Sequence, residues 1–173
     1  MPAWIIALLG VFVGFGLNEV SQLIKAKLLS KKLNEALEDE LSSNLYQLDD
    51  KIDIANQMIT ALNQRSILSG LSVPFASSVY DYHFQLILKN LCPIQRDNIR
   101  HIYSKLRVLD EVMFSLEKSY KEDIRGGILR NAKVSYIGKI KDVLNNYNTL
   151  KKLIKLYLDG SPEDIYHRDN HNT

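Results

Sequence analysis

Chemistry in this chain would have to come from few side chains: four histidines, one cysteine and the carboxylates near them. His167 and His171 are four residues apart, with Glu163, Asp164 and Asp169 close by. On a helix both imidazoles would face one way and could hold a divalent metal. The closing run RDNHNT is a poor helix former, however, so a solvated tail and no metal site are expected. His83 and His101 each stand alone within helical patterns and read as ordinary helix residues. Cys92 precedes Pro93, and nothing nearby in sequence supplies a base or lowers a thiol pKa, so an inert, buried thiol is expected.

The carboxylates are no more convergent. Glu38, Asp39 and Glu40 point in three directions around a helix and read as a solvated or salt-bridged surface, not an acid–base pair. No Glu is followed three residues later by His, the spacing that di-iron bundles use. Tyr80, Tyr82 and Phe84 could line a pocket, but are expected to close one end of a bundle. Neither a GxxxxGK[ST] loop nor a GxGxxG turn is present, which speaks against nucleotide chemistry. The basic residues near the C-terminal end lack the interleaved aromatics of a nucleic-acid surface. The expectation is therefore no enzyme, no catalytic residue, no cofactor and no nucleic acid.

Composition agrees with a folded protein of one domain. The chain has 173 residues, 46% of them hydrophobic and 24% charged, so wholesale disorder is ruled out. With 22 basic and 20 acidic residues the net charge of +2 implies no polyanionic partner. The single cysteine excludes an internal disulfide or a Cys-rich zinc site, and 8 Gly with 4 Pro argue against a loop-rich β fold.

The elements that must carry any function begin with an uncharged run, PAWIIALLGVFVGFGL, at residues 2–17. As a helix it covers roughly 25 Å of a hydrocarbon core about 30 Å thick, with Trp4 placed as an interfacial anchor. Lys25, Lys27, Lys31 and Lys32 follow it, so the positive-inside rule puts the remainder of the chain in the cytoplasm. These lysines could also touch anionic lipid headgroups. Gly10 and Gly14 form a GxxxG pair suited to self-association of membrane helices.

From there the pattern is helical throughout. Leu17, Val20, Ile24 and Leu28 keep a three-to-four spacing. A narrow stripe continues through Leu33, Leu37, Leu41, Leu45, Leu48, Ile52, Ala55, Ile59 and Leu62, close to a coiled-coil seam. Gly70 and Pro74 end this first helix, and Ser78 with Asp81 resembles a capping box that opens a short second helix over 78–91. Pro93 suits the first turn of a third helix, whose apolar positions are Ile99, Ile102, Leu106, Leu109, Met113, Leu116, Tyr120 and Ile124. Gly126 and Gly127 break it. A fourth helix carries Ile137, Ile140, Leu144, Tyr147, Leu150, Ile154 and Tyr157 and stops at Gly160 and Pro162.

The first helix is acidic (Glu35, Glu38, Asp39, Glu40, Asp49, Asp50 and Asp53 against Lys51). The fourth is basic (Arg130, Lys133, Lys139, Lys141, Lys151, Lys152 and Lys155 against Asp142), which predicts that the two are neighbours. The fold class expected is all-α: an N-terminal transmembrane helix continuing into the long helix of a cytoplasmic antiparallel four-helix bundle. Its parts are an anchor over 1–17, a lysine-rich stalk over 18–32, a bundle over 33–160 and a flexible polar tail over 161–173. The function expected is a single-pass, non-catalytic interaction or scaffolding module with a protein partner, lipid contact and a capacity for homo-oligomers. The alternatives are a bilayer-perturbing effector acting through clustered transmembrane helices and an exported helical protein released by signal cleavage.

Overall fold

The computed structural model describes residues 3–64, 73–126 and 129–160, with side chains from Val13 onward except at Asn90 and 129–132. Four helices account for nearly all of this: α1 (Ala3–Gln64), α2 (Ser78–Asn90), α3 (Pro93–Arg125) and α4 (Leu129–Leu158). No strand occurs among the described residues. The tail at 161–173, with the His167 and His171 pair, lies outside the described residues, as does Gly127. So do the side chains of Trp4 and the position of any atom packed on Gly10.

α1 is 62 residues long, about 93 Å, because neither Gly nor Pro interrupts it after Gly16. Its side chains from Val13 to Lys32 are exposed, apart from half-buried Ser21 and Ser30, and Leu33 is the first buried one. Among the described residues no helix is long and apolar enough to cross a membrane. The apolar run at 2–17 falls mostly before Val13, where side chains begin to be described.

From Leu33 onward the chain closes a bundle with one apolar core. α4 runs antiparallel to α1: Lys151 pairs with Asp49, and further along Tyr157 shares a cavity with Glu38. The acidic and basic helices are thus neighbours, as their charges predict. α3 runs parallel to α1, with Tyr103 meeting Glu40 and Asp110 meeting Lys51. It is antiparallel to α4, where the Tyr136 hydroxyl donates to Asp123 at 2.7 Å. Among the described residues, the second leg of the bundle is helical only from Ser78 onward. An irregular strap, Val73–Ser77, passes Lys51 and then Asn44 before α2 begins beside Glu40.

The ends of the helices follow from local chemistry. Pro93 occupies the first turn of α3, where its missing N–H costs nothing, and Gln95 Oε1 accepts the Cys92 N–H at 3.2 Å. α2 and α3 are therefore separate helices. α4 ends on Gly160, whose φ of 69° is left-handed and whose N–H bonds the Tyr157 carbonyl at 3.1 Å. Only glycine adopts that conformation without a Cβ penalty.

The core matches the expected positions best on α3. Ile99, Ile102, Leu106, Leu109, Met113, Leu116 and Tyr120 are all buried, and Ile124 is half-buried. On α1, Leu33, Leu37, Leu41, Leu48, Ala55 and Leu62 are buried as expected, but the buried face is not the narrow apolar stripe alone. Leu45, Ile52 and Ile59 are only half-buried, while Glu40, Asn44, Lys51 and Met58 take inward positions. On α4, Tyr136, Val143 and Leu153 join the core and Ile137 and Leu144 lie at its margin.

Candidate functional site

The polar side chains that converge lie on the inner face of α1. Glu40, Asn44 and Lys51 recur at four and seven residues, so one helical face presents all three to the strap and to α3. Each is nearly or fully buried, at 7%, 0% and 4% exposure. Burial at these levels requires partners, since a lone buried charge is costly.

Glu40 serves as the cap of α2. Its Oε2 accepts the Val79 N–H at 2.7 Å and the Ser78 hydroxyl at 3.2 Å, and its Oε1 accepts the Tyr80 N–H at 3.2 Å. The Tyr103 hydroxyl also donates to Oε1, at 2.6 Å. A carboxylate from another helix thus satisfies backbone donors that a local N-cap would otherwise take, at the positive end of the helix dipole. This corrects the reading of Glu40 as surface and of Ser78 with Asp81 as a self-contained capping box. The N-cap is Ser77, its hydroxyl donates to the Asp81 carboxylate at 2.8 Å, and Asp81 pairs with Arg107 on α3. Glu38 and Asp39 do remain exposed.

Asn44 and Lys51 hold the strap. The Asn44 side chain exchanges two hydrogen bonds with Ala76, donating to its carbonyl and accepting its N–H, both at 2.8 Å. Lys51 Nζ sits 2.8 Å from Asp110 Oδ1 and 4.2 Å from the centre of the Phe75 ring. Asp110 Oδ2 accepts the Phe75 N–H at 2.8 Å. The Phe75 N–H and both backbone groups of Ala76 thus find side-chain partners on α1 and α3.

Aromatic rings fill the space between. Tyr80 stacks on Tyr103 with centroids 4.0 Å apart, Phe84 meets Tyr80 edge-on, and Phe75 meets Tyr147 edge-on. Tyr80 and Phe84 therefore close the core, whereas Tyr82 points to solvent. Burial raises the hydroxyl pKa of Tyr80, Tyr103 and Tyr147, with the bond to Glu40 adding to the effect at Tyr103. Tyr136 and Tyr157 are pushed up to about 12, again by burial first, then by the bond to Asp123 at Tyr136 and by Glu38 at Tyr157. A folded-state pKa above the unfolded value of about 10 means stability that is intact below pH 10 and lost as pH rises beyond it. An absorbance titration at alkaline pH is expected to show a late-ionising class among the nine tyrosines, and loss of helical ellipticity accompanying its ionisation. A titration that matches the guanidinium-unfolded chain would contradict this packing.

Among the described residues, one hollow of about 470 Å³ lies along α1 beside Ile24, Leu28 and Asn34, and two others lie against the bundle helices. A groove of about 720 Å³ runs between α3 and α4, lined by Val108, Val112, Lys105, Glu111, Lys139 and Asp142 among others. A smaller one of about 300 Å³ lies at the bundle end nearest the exposed part of α1, lined by Asn34, Glu38, Cys92, Gln95 and Tyr157 among others. Cys92 is exposed there, not buried, because it precedes the first turn of α3 at the end of the bundle. Among the described residues no group of three or more His, Cys, Asp or Glu side chains could hold a metal. His83 is exposed on α2, and His101 is half-buried and lines the larger groove.

The residues expected to serve the membrane end are distributed along the exposed part of α1. Lys25, Lys27, Lys31 and Lys32 are all solvent-facing, and Lys31 approaches Glu35 at 3.7 Å. A Cβ built on Gly14 would meet nothing within 4 Å, so that face of the helix is open. The converging polar groups are instead Glu40, Asn44, Lys51, Tyr103 and Asp110, which tie α1, the strap, α2 and α3 together. Each is bonded to backbone or to another side chain of the fold, so the network organises structure. The class so defined is an all-helical bundle locked by a polar seam. No family model matches the chain, and none of the curated proteins or solved structures compared with it is similar.

Proposed function

We propose that this chain is a single-pass membrane protein whose helical bundle serves as a non-catalytic interaction module on the cytoplasmic face. Residues 1–17 are the anchor, 18–32 the stalk and 33–160 the bundle. The observation that carries the reading is the pairing of an uncharged run at 2–17 with a helix whose large side chains from Val13 to Lys32 are exposed and whose first buried residue is Leu33. A bundle joined to such a helix is held some distance from whatever the N-terminal run enters: residues 18–32 span about 22 Å. The exposed Lys25, Lys27, Lys31 and Lys32 favour the cytoplasmic side and an anionic lipid surface. The polar groups of the bundle interior serve the fold, which supports a binding role over a catalytic one.

The test is localisation of the full chain with a C-terminal fluorescent tag. Sedimentation with membranes, resistance to alkaline carbonate and protease access only from the cytoplasmic side are the expected results. A tag in the soluble fraction would defeat the proposal, as would a mature chain that begins after Gly16.

A further inference from the structure

The exposed part of α1 is not featureless. Val13, Leu17, Val20, Ile24 and Leu28 lie on one face at spacings of four, three, four and four, each 53–66% exposed. From Leu28 to Leu33 the step is five residues, which turns the apolar face through about 140°. The stripe at 13–28 therefore lies nearly opposite the face that α1 buries in its own bundle. The bundle of the same chain cannot cover it by extension.

Two other covers fit poorly. An unbroken helix that stands upright in a bilayer cannot also lay residues 18–32 flat on the membrane surface. That would need a kink, and neither Gly nor Pro occurs from Leu17 to Gln64. The tail at 161–173 offers only Ile165 and Tyr166 as large apolar side chains. The helix itself supplies a better match. Leu17, Ile24 and Lys31 repeat every seven residues, as do Val13, Val20 and Lys27, and Gly14, Ser21 and Leu28. The first track reaches back to Gly10. Seven-residue tracks drift by about 20° per repeat on a straight helix and are held aligned where two helices wind around each other. Small residues at Gly14 and Ser21 permit close approach, and Lys27 and Lys31 end the apolar seam before the bundle.

We infer that residues 10–31 of α1 pair in parallel with the same segment of a second copy of this chain. The partner is named by self-complementarity, and the parallel sense rests on the anchored reading above, which gives both copies one orientation. The area is sufficient. Val20, Ile24 and Leu28, beyond the anchor, and Val13 and Leu17, within it, contribute roughly 60–120 Å² each on both helices, so the contact approaches about 1,000 Å², the lower bound for a specific interface, with the water-exposed gain confined to the first three. Both bundles then hang from one two-stranded stalk.

Single cysteines introduced into the full chain in its native membranes test this, in a Cys92→Ser background that removes the exposed thiol. A disulfide needs Cα atoms within about 7 Å, which facing seam positions meet. Oxidation is expected to give disulfide dimers for Ile24→Cys and Leu28→Cys and none for Ala26→Cys, which lies on the far side of the helix. Adding Val20→Asp to the Ile24→Cys chain should abolish the dimer while leaving the helical melting curve unchanged, since Val20 touches no core. Absence of dimers at every position, or equal dimers at Ala26→Cys, overturns the pairing wherever the chain fractionates. An intramolecular link between Ile24→Cys and Tyr166→Cys without dimer overturns it in favour of the tail. Seam-specific dimers in a chain recovered as a soluble species uphold the pairing and remove the anchor alone.

Discussion

Glu40→Ala is expected to destabilise the bundle by about 3–5 kcal/mol, a fall of roughly 8–15 °C in Tm. The substitution deletes the acceptor for the Val79 and Tyr80 N–H groups and for the Ser78 and Tyr103 hydroxyls at once. Water reaches this site poorly, because Glu40 is 7% exposed and Tyr103 1%. Each abandoned buried donor costs about 1–3 kcal/mol, and the charge at the dipole end of α2 is lost as well. Glu40→Gln should recover part of the loss, since an amide oxygen still accepts but its NH₂ meets donors. Glu38→Ala and Asp39→Ala, on exposed positions of the same turn, should move stability by no more than about 0.5 kcal/mol. Thermal unfolding followed by ellipticity separates these cases. Equal effects at Glu38 and Glu40 would show that the carboxylate does not cap α2.

The second large effect is expected at Lys51. Lys51→Met keeps the aliphatic stem and removes the charge, which leaves Asp110 with only the Phe75 N–H named above and strips the cation from the Phe75 ring. Removing one partner of a buried pair costs about 3–5 kcal/mol. Asp110 retains some solvent, its side chain being 23% exposed, so about 2–3 kcal/mol is the appropriate expectation. A double-mutant cycle with Asp110→Asn should reveal a coupling of about 1–3 kcal/mol. Strictly additive single effects would mean that the pair does not hold the strap against α1 and α3.

These two sites also show where reading residues in order stops being sufficient. The number of helices, the turn at Pro93 and the stop at Gly160 rest on signals that act within a few residues. They are visible without knowing what each helix touches. The apolar track of α3 is equally legible, since it is buried along its whole length by neighbours on one side. The adjacency of α1 and α4 follows from opposite charge, and the Lys151–Asp49 pair realises it.

The inward face of α1 is different. Leu41, Leu48, Ala55 and Leu62 repeat every seven residues, and a parallel track runs through Leu37, Asn44, Lys51 and Met58. An apolar count finds the first track but passes over Asn44 and Lys51 to take in Leu45, Ile52 and Ile59, because it takes polarity as evidence of exposure. The heptad spacing was the available signal that Asn44 and Lys51 belong inside. Glu40, one residue from Leu41, carries no such mark.

The sequence alone determined the all-α class seen in the described residues, the turn at Pro93, the stop at Gly160 and which face of α3 seeks a core. Those properties depend on backbone conformation and on side chains three or four positions apart. Only the tertiary structure decided that Glu40 caps a helix starting 38 residues later, that Asn44 and Lys51 hold the strap, and that Cys92 is exposed. The cause is physical: a buried polar group is stable only against its partner. That partner is brought within 3 Å by packing of the whole bundle, not by any local rule.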